Sequence, residues 1–259
     1  MPDPFFLASA FVLGSITGSF LNVCIHRIPA GTSIVSPPSA CPSCGTPIRF
    51  YDNIPILSYL LLLGRCRSCK TRISARYPLV EGLNGILWML LVLRYGFGWG
   101  TAAQCVFVSA LLVITFIDLD HQIIPDVISL PGIPLAILAG VFILPDPFLR
   151  GALLGWKNSV IGAALGFGLF YLIAVLSRGG MGGGDIKLMG MIGGMVGWKG
   201  VLLTTFSGSL FGALAGIGLM IFAGGGRKTK VPFGPFLAAG AMLCLFLGQD
   251  ILGWYLGHG

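Results

Sequence analysis

The chain alternates long apolar runs with short polar connections. The runs fall at about 5–25, 78–95, 100–117, 127–144, 157–177, 188–198, 200–223 and 234–256. A helix needs about 20 apolar residues to cross the roughly 30 Å hydrocarbon core of a bilayer. Seven runs approach that length. The sixth is too short, and its Gly-rich stretch Met189 to Trp198 suits a half-helix, a re-entrant segment, or one broken span with its neighbour. The pattern predicts an all-α polytopic membrane protein with about eight transmembrane helices, or seven if the sixth and seventh runs are one. Only one connection, about 26–77, is long and polar enough for a small extramembrane domain. The first run has no basic residue before it; the basic cluster follows, from Arg27. A cleaved signal peptide has the reverse order, so a retained helix is expected.

Composition agrees. Hydrophobic residues make up 55% of the 259 and charged residues 10%, against about 25% charged in soluble domains. A water-soluble body of this size would lack the polar surface to cover itself. Forty glycines without a collagen-like period fit closely packed membrane helices. The basic residues orient the bundle. One side holds Arg27, Arg49, Arg65, Arg67, Lys70, Arg72, Arg76, Arg178, Lys187, Arg227, Lys228 and Lys230; the other keeps Arg94, Arg150, Lys157 and Lys199. By the positive-inside rule the 26–77 loop is cytoplasmic. The net charge of +7 then needs only the anionic cytoplasmic leaflet as counterpart, and no nucleic acid. No internal repeat is expected.

The loop carries Cys41-Pro42-Ser43-Cys44-Gly45 and Arg65-Cys66-Arg67-Ser68-Cys69-Lys70. Two CxxC pairs at this separation suit a tetrahedral four-thiolate zinc site, a small zinc-ribbon-like domain between the first two membrane helices. Two disulfides are the alternative, disfavoured in a reducing cytoplasm; a redox CxxC is another, but such motifs do not normally come doubled. With four cysteines as ligands no position stays open for water, so the Zn2+ is structural. Cys24, Cys105 and Cys244 lie in or beside apolar runs as small packing residues.

Only nine acidic residues occur. Asp3, Asp52, Asp146 and Asp250 suit loops or helix ends, while Glu81, Asp118, Asp120, Asp126 and Asp185 lie near membrane helices, where an ionisable group is a functional candidate. Asp118-Leu119-Asp120-His121 ends the third run, and Gly182-Gly183-Gly184-Asp185-Ile186-Lys187 opens the sixth. The derived topology brings both to one membrane face at similar depth. Two facing carboxyl groups hydrolyse an amide without a metal: one keeps a proton and polarises the carbonyl, and the other activates water. Gly182 and Gly184 allow close backbone approach and a broken helix. Asp126 follows Pro125 and suits an N-cap. Asp120 is a candidate to tune the pair or bind a basic group on the substrate. Lys187 is a candidate to act on Asp185, to contact substrate or to snorkel. His121 suits the interface.

With these motifs in order, the sequence resembles the type IV prepilin peptidase family, the GxGD-type membrane aspartyl proteases. Gly18-Ser19-Phe20-Leu21-Asn22-Val23 with Arg27-Ile28-Pro29, the doubled CxxC, Arg76-Tyr77-Pro78 with Glu81, the Asp118 motif and the Asp185 motif carry the resemblance over nearly the whole chain. It implies a multi-pass protein of the bacterial inner membrane with its active site facing the cytoplasm. It also implies cleavage of basic leaders from type IV prepilins or type II secretion pseudopilins just after a Gly, with Asp118 and Asp185 catalytic. N-methylation of the new N-terminus, usually Phe, from S-adenosylmethionine would follow. Asp118 is taken over Asp120 because the family Asp lies seven residues before the motif Pro, here Pro125. Glu81 and Asn22 become methyltransferase candidates by the same resemblance; no GxGxxG or Rossmann-like domain supports that activity independently. The expected organisation is a first transmembrane helix (1–25), a cytoplasmic four-cysteine zinc-binding loop domain (26–77) and a membrane-embedded aspartyl protease domain (78–259). A polytopic transporter would also explain intramembrane charges and a broken helix, but not the cysteine loop. A zinc-stabilised assembly factor without enzymatic activity is the third reading.

Overall fold

The computed structural model describes residues 3–149, 151–177, 180–222, 231–255 and 257. Arg150, Arg178, Arg227, Lys228 and Lys230, used above to orient the chain, lie outside them. Among the described residues the elements are helical, with three isolated β-bridges and no strand: α1 (Pro4–Arg27), a 3-10 turn (Phe50–Asp52), α2 (Leu57–Leu61), α3 (Arg76–Tyr95), α4 (Trp99–His121), α5 (Asp126–Phe142), α6 (Gly155–Leu176), α7 (Gly183–Phe222) and α8 (Gly234–Tyr255). Five of them, α1, α4, α6, α7 and α8, are long and apolar enough to cross a membrane. α5 is apolar but has 17 residues and carries Pro131 and Pro134 within it.

Local chemistry sets the ends. Asp3 caps α1, its carboxylate accepting from the Phe5 N–H at 2.9 Å, with Pro4 opening the helix. α4 closes on Gln122 in the left-handed conformation (φ 54°), its N–H bonded to the Asp118 carbonyl at 2.9 Å. α7 is a 40-residue element interrupted at Gly197, whose φ of 73° is not helical. The sixth and seventh apolar runs are therefore its two arms. The arm from Gly183 to Val196 spans only about 20 Å at 1.5 Å per residue. It does not face lipid: every residue from Leu188 to Gly197 is buried, as expected for a helix apolar all round. α5, α6 and α8 pack around α7.

The chain forms two compact units. The first comprises residues up to Phe97 with Val108–Val113 of α4; the second comprises Gly98–Phe107 and everything from Ile114. In the first, α1 and α3 touch along a small-residue seam. A Cβ on Gly18 would lie 2.7 Å from the Glu81 Cα. Asn84 Nδ2 donates to the Gly14 carbonyl at 2.7 Å, and Ser109 Oγ donates to Asn84 Oδ1 at 2.8 Å. Buried amides satisfied across helices are a specific adhesive where water is absent.

The cysteine loop corrects one expectation, that the chain holds no internal repeat. Cys-x-Ser-Cys-x-Thr-x-Ile occurs at 41–48 and again at 66–73. Both copies fold alike. Cys41 N–H donates to the Thr46 carbonyl (3.0 Å) and Cys66 N–H to that of Thr71 (2.9 Å), beside bridges Ala40–Pro47 and Arg65–Arg72. Gly45 and Lys70 occupy the same left-handed turn, at φ 68° and 60°. Lysine takes a conformation that costs an L-residue roughly 1–2 kcal/mol. That Gly-to-Lys difference, with the short repeat length, hides the repeat from a composition-level reading.

Candidate functional site

In the second unit Asp118 is buried in the last turn of α4, at 5% exposure. Asp120 lies two residues on, about 200° around the helix, and is exposed. The Gly234 N–H at the head of α8 donates to Asp118 Oδ2 at 2.9 Å. Asp185 sits in the first turn of α7, half-buried, within electrostatic range of Asp118. Each carboxyl thus lies at the start of a helix, where partial positive charge offsets part of the cost of an anion among apolar helices.

Ile124 spaces the two helix heads. A Cβ on Gly184 would meet the Ile124 Cβ at 2.7 Å, and one on Gly234 would meet Ile124 Cδ1 at 3.4 Å and Asp118 Oδ2 at 2.7 Å. Gly184 and Gly234 are therefore required by close packing. Gly182 is exposed, and a Cβ there would come within 3.3 Å of Asp185 Oδ2. Lys187 Nζ contacts both Asp126 oxygens at 2.8 Å. Both side chains are partly exposed, so the pair adds about 1 kcal/mol or less and serves mainly to align α5 with α7. The expected N-cap role of Asp126 is corrected: Pro125 is the cap, and Asp126 is the first helical residue, with its carboxylate turned to Lys187. His121 ends α4, exposed.

The sequence reading missed Gly234 and Ile124. The signal for the first was Pro232-Phe233-Gly234-Pro235, a turn followed by a proline suited to a first helical turn before an apolar run.

The first unit holds the other candidates. Glu81 is buried at 7% exposure, and Ile56 N–H donates to its Oε2 at 2.8 Å. Ile56 has φ 62°, an outlier for a β-branched residue that costs about 1–3 kcal/mol and is typical of functional positions. Asn22 Nδ2 donates to the Gly18 and Tyr77 carbonyls at 3.3 and 3.1 Å, joining α1 to the start of α3. A cavity of about 410 Å³ lies alongside, lined by Ser19, Phe20 and Val23 of α1 and by Asn53, Ile54 and Pro55.

The four cysteine sulfurs Cys41, Cys44, Cys66 and Cys69 lie within 4.8 Å of one another, with Cys41 and Cys69 at 3.8 Å. A zinc tetrahedron with Zn–S near 2.3 Å has S···S edges of about 3.8 Å, so the cluster fits that ion. The Thr71 hydroxyl, 3.3 Å from Cys69 Sγ, and the Thr71 N–H hold that thiol down to about 6. Thr46 lowers Cys44 in the same way at 3.2 Å. Proton competition at those two sulfurs is thereby reduced at neutral pH, while Cys41 is shifted up. Arg67 braces the second knuckle with a forked contact to Asp52 at 2.6–3.0 Å, which holds the Asp52 carboxyl below its usual value.

Residues 12–95 match the bacterial peptidase A24 N-terminal domain, and residues 105–217 match the type IV leader peptidase family. The chain belongs to the type IV prepilin peptidase family. It is an enzyme of that class and a multi-pass inner membrane protein. A relative from Pseudomonas aeruginosa, named prepilin leader peptidase/N-methyltransferase, is 37% identical over 278 residues, covering 97% of this chain and 93% of its own length. Relatives of the same name come from Neisseria gonorrhoeae, 33% identical across 99% of this chain and 96% of its own, and from Myxococcus xanthus, 42% identical across 88% and 67%. No solved structure matches.

Proposed function

We propose that the chain cleaves basic leaders from type IV prepilins or type II secretion pseudopilins through Asp118 and Asp185, and then N-methylates the new terminus. The observation that carries the reading is Asp185, in the first turn of α7, within electrostatic range of Asp118, which is itself held by the head of α8, inside a family of leader peptidases. One carboxyl holds a proton while the other is ionised. The ionised group takes a proton from water as the water attacks the scissile carbonyl, and the neutral one donates to the carbonyl oxygen. The tetrahedral diol then collapses. The carboxyl that gave its proton takes a hydroxyl proton back, while the other, protonated by the water, gives its proton to the departing amine as the C–N bond breaks. Gly234 N–H fixes the Asp118 carboxyl so that little reorganisation accompanies the reaction. The active site faces the cytoplasm in this reading, which the basic-residue asymmetry supports, and the protein works within the lipid bilayer on a substrate entering from it. The organisation we propose is the first helix (1–25), the four-cysteine loop domain (26–77) and the protease domain (78–259). The transporter and assembly-factor readings gain no support from the comparisons.

Cys41, Cys44, Cys66 and Cys69 would hold zinc as a fold-stabilising ion. We assign methyl transfer from S-adenosylmethionine to the first unit; the buried Glu81 held by the strained Ile56, and a groove lined by the preceding Ile54 and Pro55, support that assignment. The donor supplies an electrophilic methyl group, and the residues here have to bind and orient the unprotonated amine. Asn22 positions α1 against α3.

The test is the full-length protein in lipid nanodiscs with a peptide bearing a basic leader, Gly, Phe and an apolar helix. Mass spectrometry should show cleavage after Gly and then a methyl group on Phe; an intact peptide would sink the reading. The two activities should separate. Asp185→Ala enzyme should still transfer labelled methyl to a pre-cleaved peptide starting with Phe, whereas Glu81→Gln should slow methylation more than cleavage. Loss of transfer in folded Asp185→Ala protein would overturn separate sites.

Gly234→Ala probes the positioning of Asp118. Its Cβ would sit 2.7 Å from Oδ2 and displace the carboxyl. Cleavage should fall about 100-fold, the scale of an ångström-sized misplacement, with methylation of pre-cleaved peptide unchanged. Wild-type cleavage by this variant would remove Gly234 from the site.

A further inference from the structure

The segment between the two knuckles is built inside out. In α2, Ser58 is buried, its Oγ donating to the Tyr51 carbonyl and accepting the Ile54 N–H, both at 3.0 Å. Leu57, Leu60 and Leu61 cluster on one side of the turn, away from that buried hydroxyl, and are 56%, 60% and 82% exposed; Leu63 follows at 84%. A loop that met only water would place these groups the other way round.

The surrounding contacts give the depth of this ridge. Ile56 reaches Glu81, five residues into α3, and Asn53 lies 3.5 Å from Ser19 Oγ, eight residues before the end of α1. At 1.5 Å per residue, the chain at 53–56 runs roughly 8–12 Å along the two helices from their polar ends. α1 is long and apolar enough to span the bilayer, so that depth falls inside the membrane boundary. Immediately beyond Leu63, Arg65 and Arg72 face each other across a bridge, both exposed. Exposed apolar side chains directly followed by exposed cations suit the boundary between acyl chains and anionic headgroups.

The geometry points to α2 as an interfacial anchor: Leu57, Leu60, Leu61 and Leu63 insert among lipid acyl chains and tether the cysteine loop to the leaflet at the C-terminal end of α1. The occupant of this face is lipid. The membrane thereby helps to hold the loop against α1 and α3, and keeps Ile56 on Glu81.

The experiment uses the full chain in nanodiscs containing phosphatidylglycerol. A fluorinated phenylalanine is introduced at one position by stop-codon suppression, as Leu61→Phe or, for comparison, as Ser68→Phe on the exposed second knuckle. A lipid carrying a nitroxide on its acyl chain should broaden the fluorine signal at 61 and spare that at 68. A water-soluble paramagnetic chelate should do the reverse. A label at 61 reached by the chelate and spared by the lipid nitroxide would overturn the anchor. So would shielding from both agents, which would mean that protein, such as a second copy, covers the ridge. Leu60→Phe serves as a second site, so the result does not depend on one variant folding. These readouts are independent of catalysis, so a failed cleavage assay leaves them interpretable.

Discussion

Asp118→Asn and Asp185→Asn should each lower leader cleavage by at least about 10³-fold, the loss expected when one half of an acid–base pair is removed. The exchange is nearly isosteric. In the Asp118→Asn variant the amide oxygen still accepts the Gly234 N–H, so the α4–α8 contact is kept and the deficit falls on chemistry. Asp120→Asn should have a much smaller effect, because Asp120 is exposed about 200° around the helix from Asp118. Single-turnover cleavage of a prepilin-type peptide by the three variants in nanodiscs is the measurement. An active Asp118→Asn beside an inactive Asp120→Asn would place the wrong face of α4 in the site. Full activity in both Asp118→Asn and Asp185→Asn would end the aspartyl reading.

Loss of zinc should have the second large effect, confined to the loop. Purified in reducing, chelator-free buffer, the protein should carry about one zinc per chain, and replacing Cys41, Cys44, Cys66 or Cys69 by Ser should abolish it. Structural zinc contributes on the order of 10–16 kcal/mol to small domains that depend on it. Short backbone bridges and the Arg67–Asp52 pair hold the knuckles besides the metal, and contacts of that kind are weak replacements for it. Trypsin should therefore cut the Cys→Ser variants at Arg65, Arg67 and Lys70 well before wild type, and methyl transfer should fall with the loop that holds Ile56 on Glu81. Cleavage should survive better, since Asp118, Asp185 and Gly234 lie in the other unit. A metal-free wild-type protein, or Ser variants as protease-resistant as wild type, would defeat the prediction.

The four cysteines were legible because knuckle geometry is local: two residues between ligands and a left-handed turn after them suffice, and the spacing records both. The repeat of Thr46 and Thr71 was equally local and was passed over. The short sixth run was legible as an anomaly but not as a structure. Its ten buried residues need no lipid-spanning length because other helices surround them, and a one-dimensional hydropathy pattern does not distinguish lipid from protein as the apolar neighbour. The same limit applies to α2, whose leucines carry no mark in the sequence of whether they face the loop's interior or stand exposed, as they do.

By itself the sequence determined the class of the protein, the apolar runs, the thiolate set and the two aspartate motifs, because partitioning into a membrane and metal-ligand spacing are properties of short segments. Asp118 was chosen over Asp120 only through the resemblance, by its spacing to Pro125. Tertiary structure alone decided that Asp118 is the buried one, that it is held by a backbone N–H 116 residues away, that Ile124 spaces Gly184 from Gly234, and that Lys187 pairs with Asp126. Those contacts join residues with no common period or motif. They exist only once α4, α5, α7 and α8 are packed, when close approach of backbones and the need to satisfy buried polar groups select one arrangement.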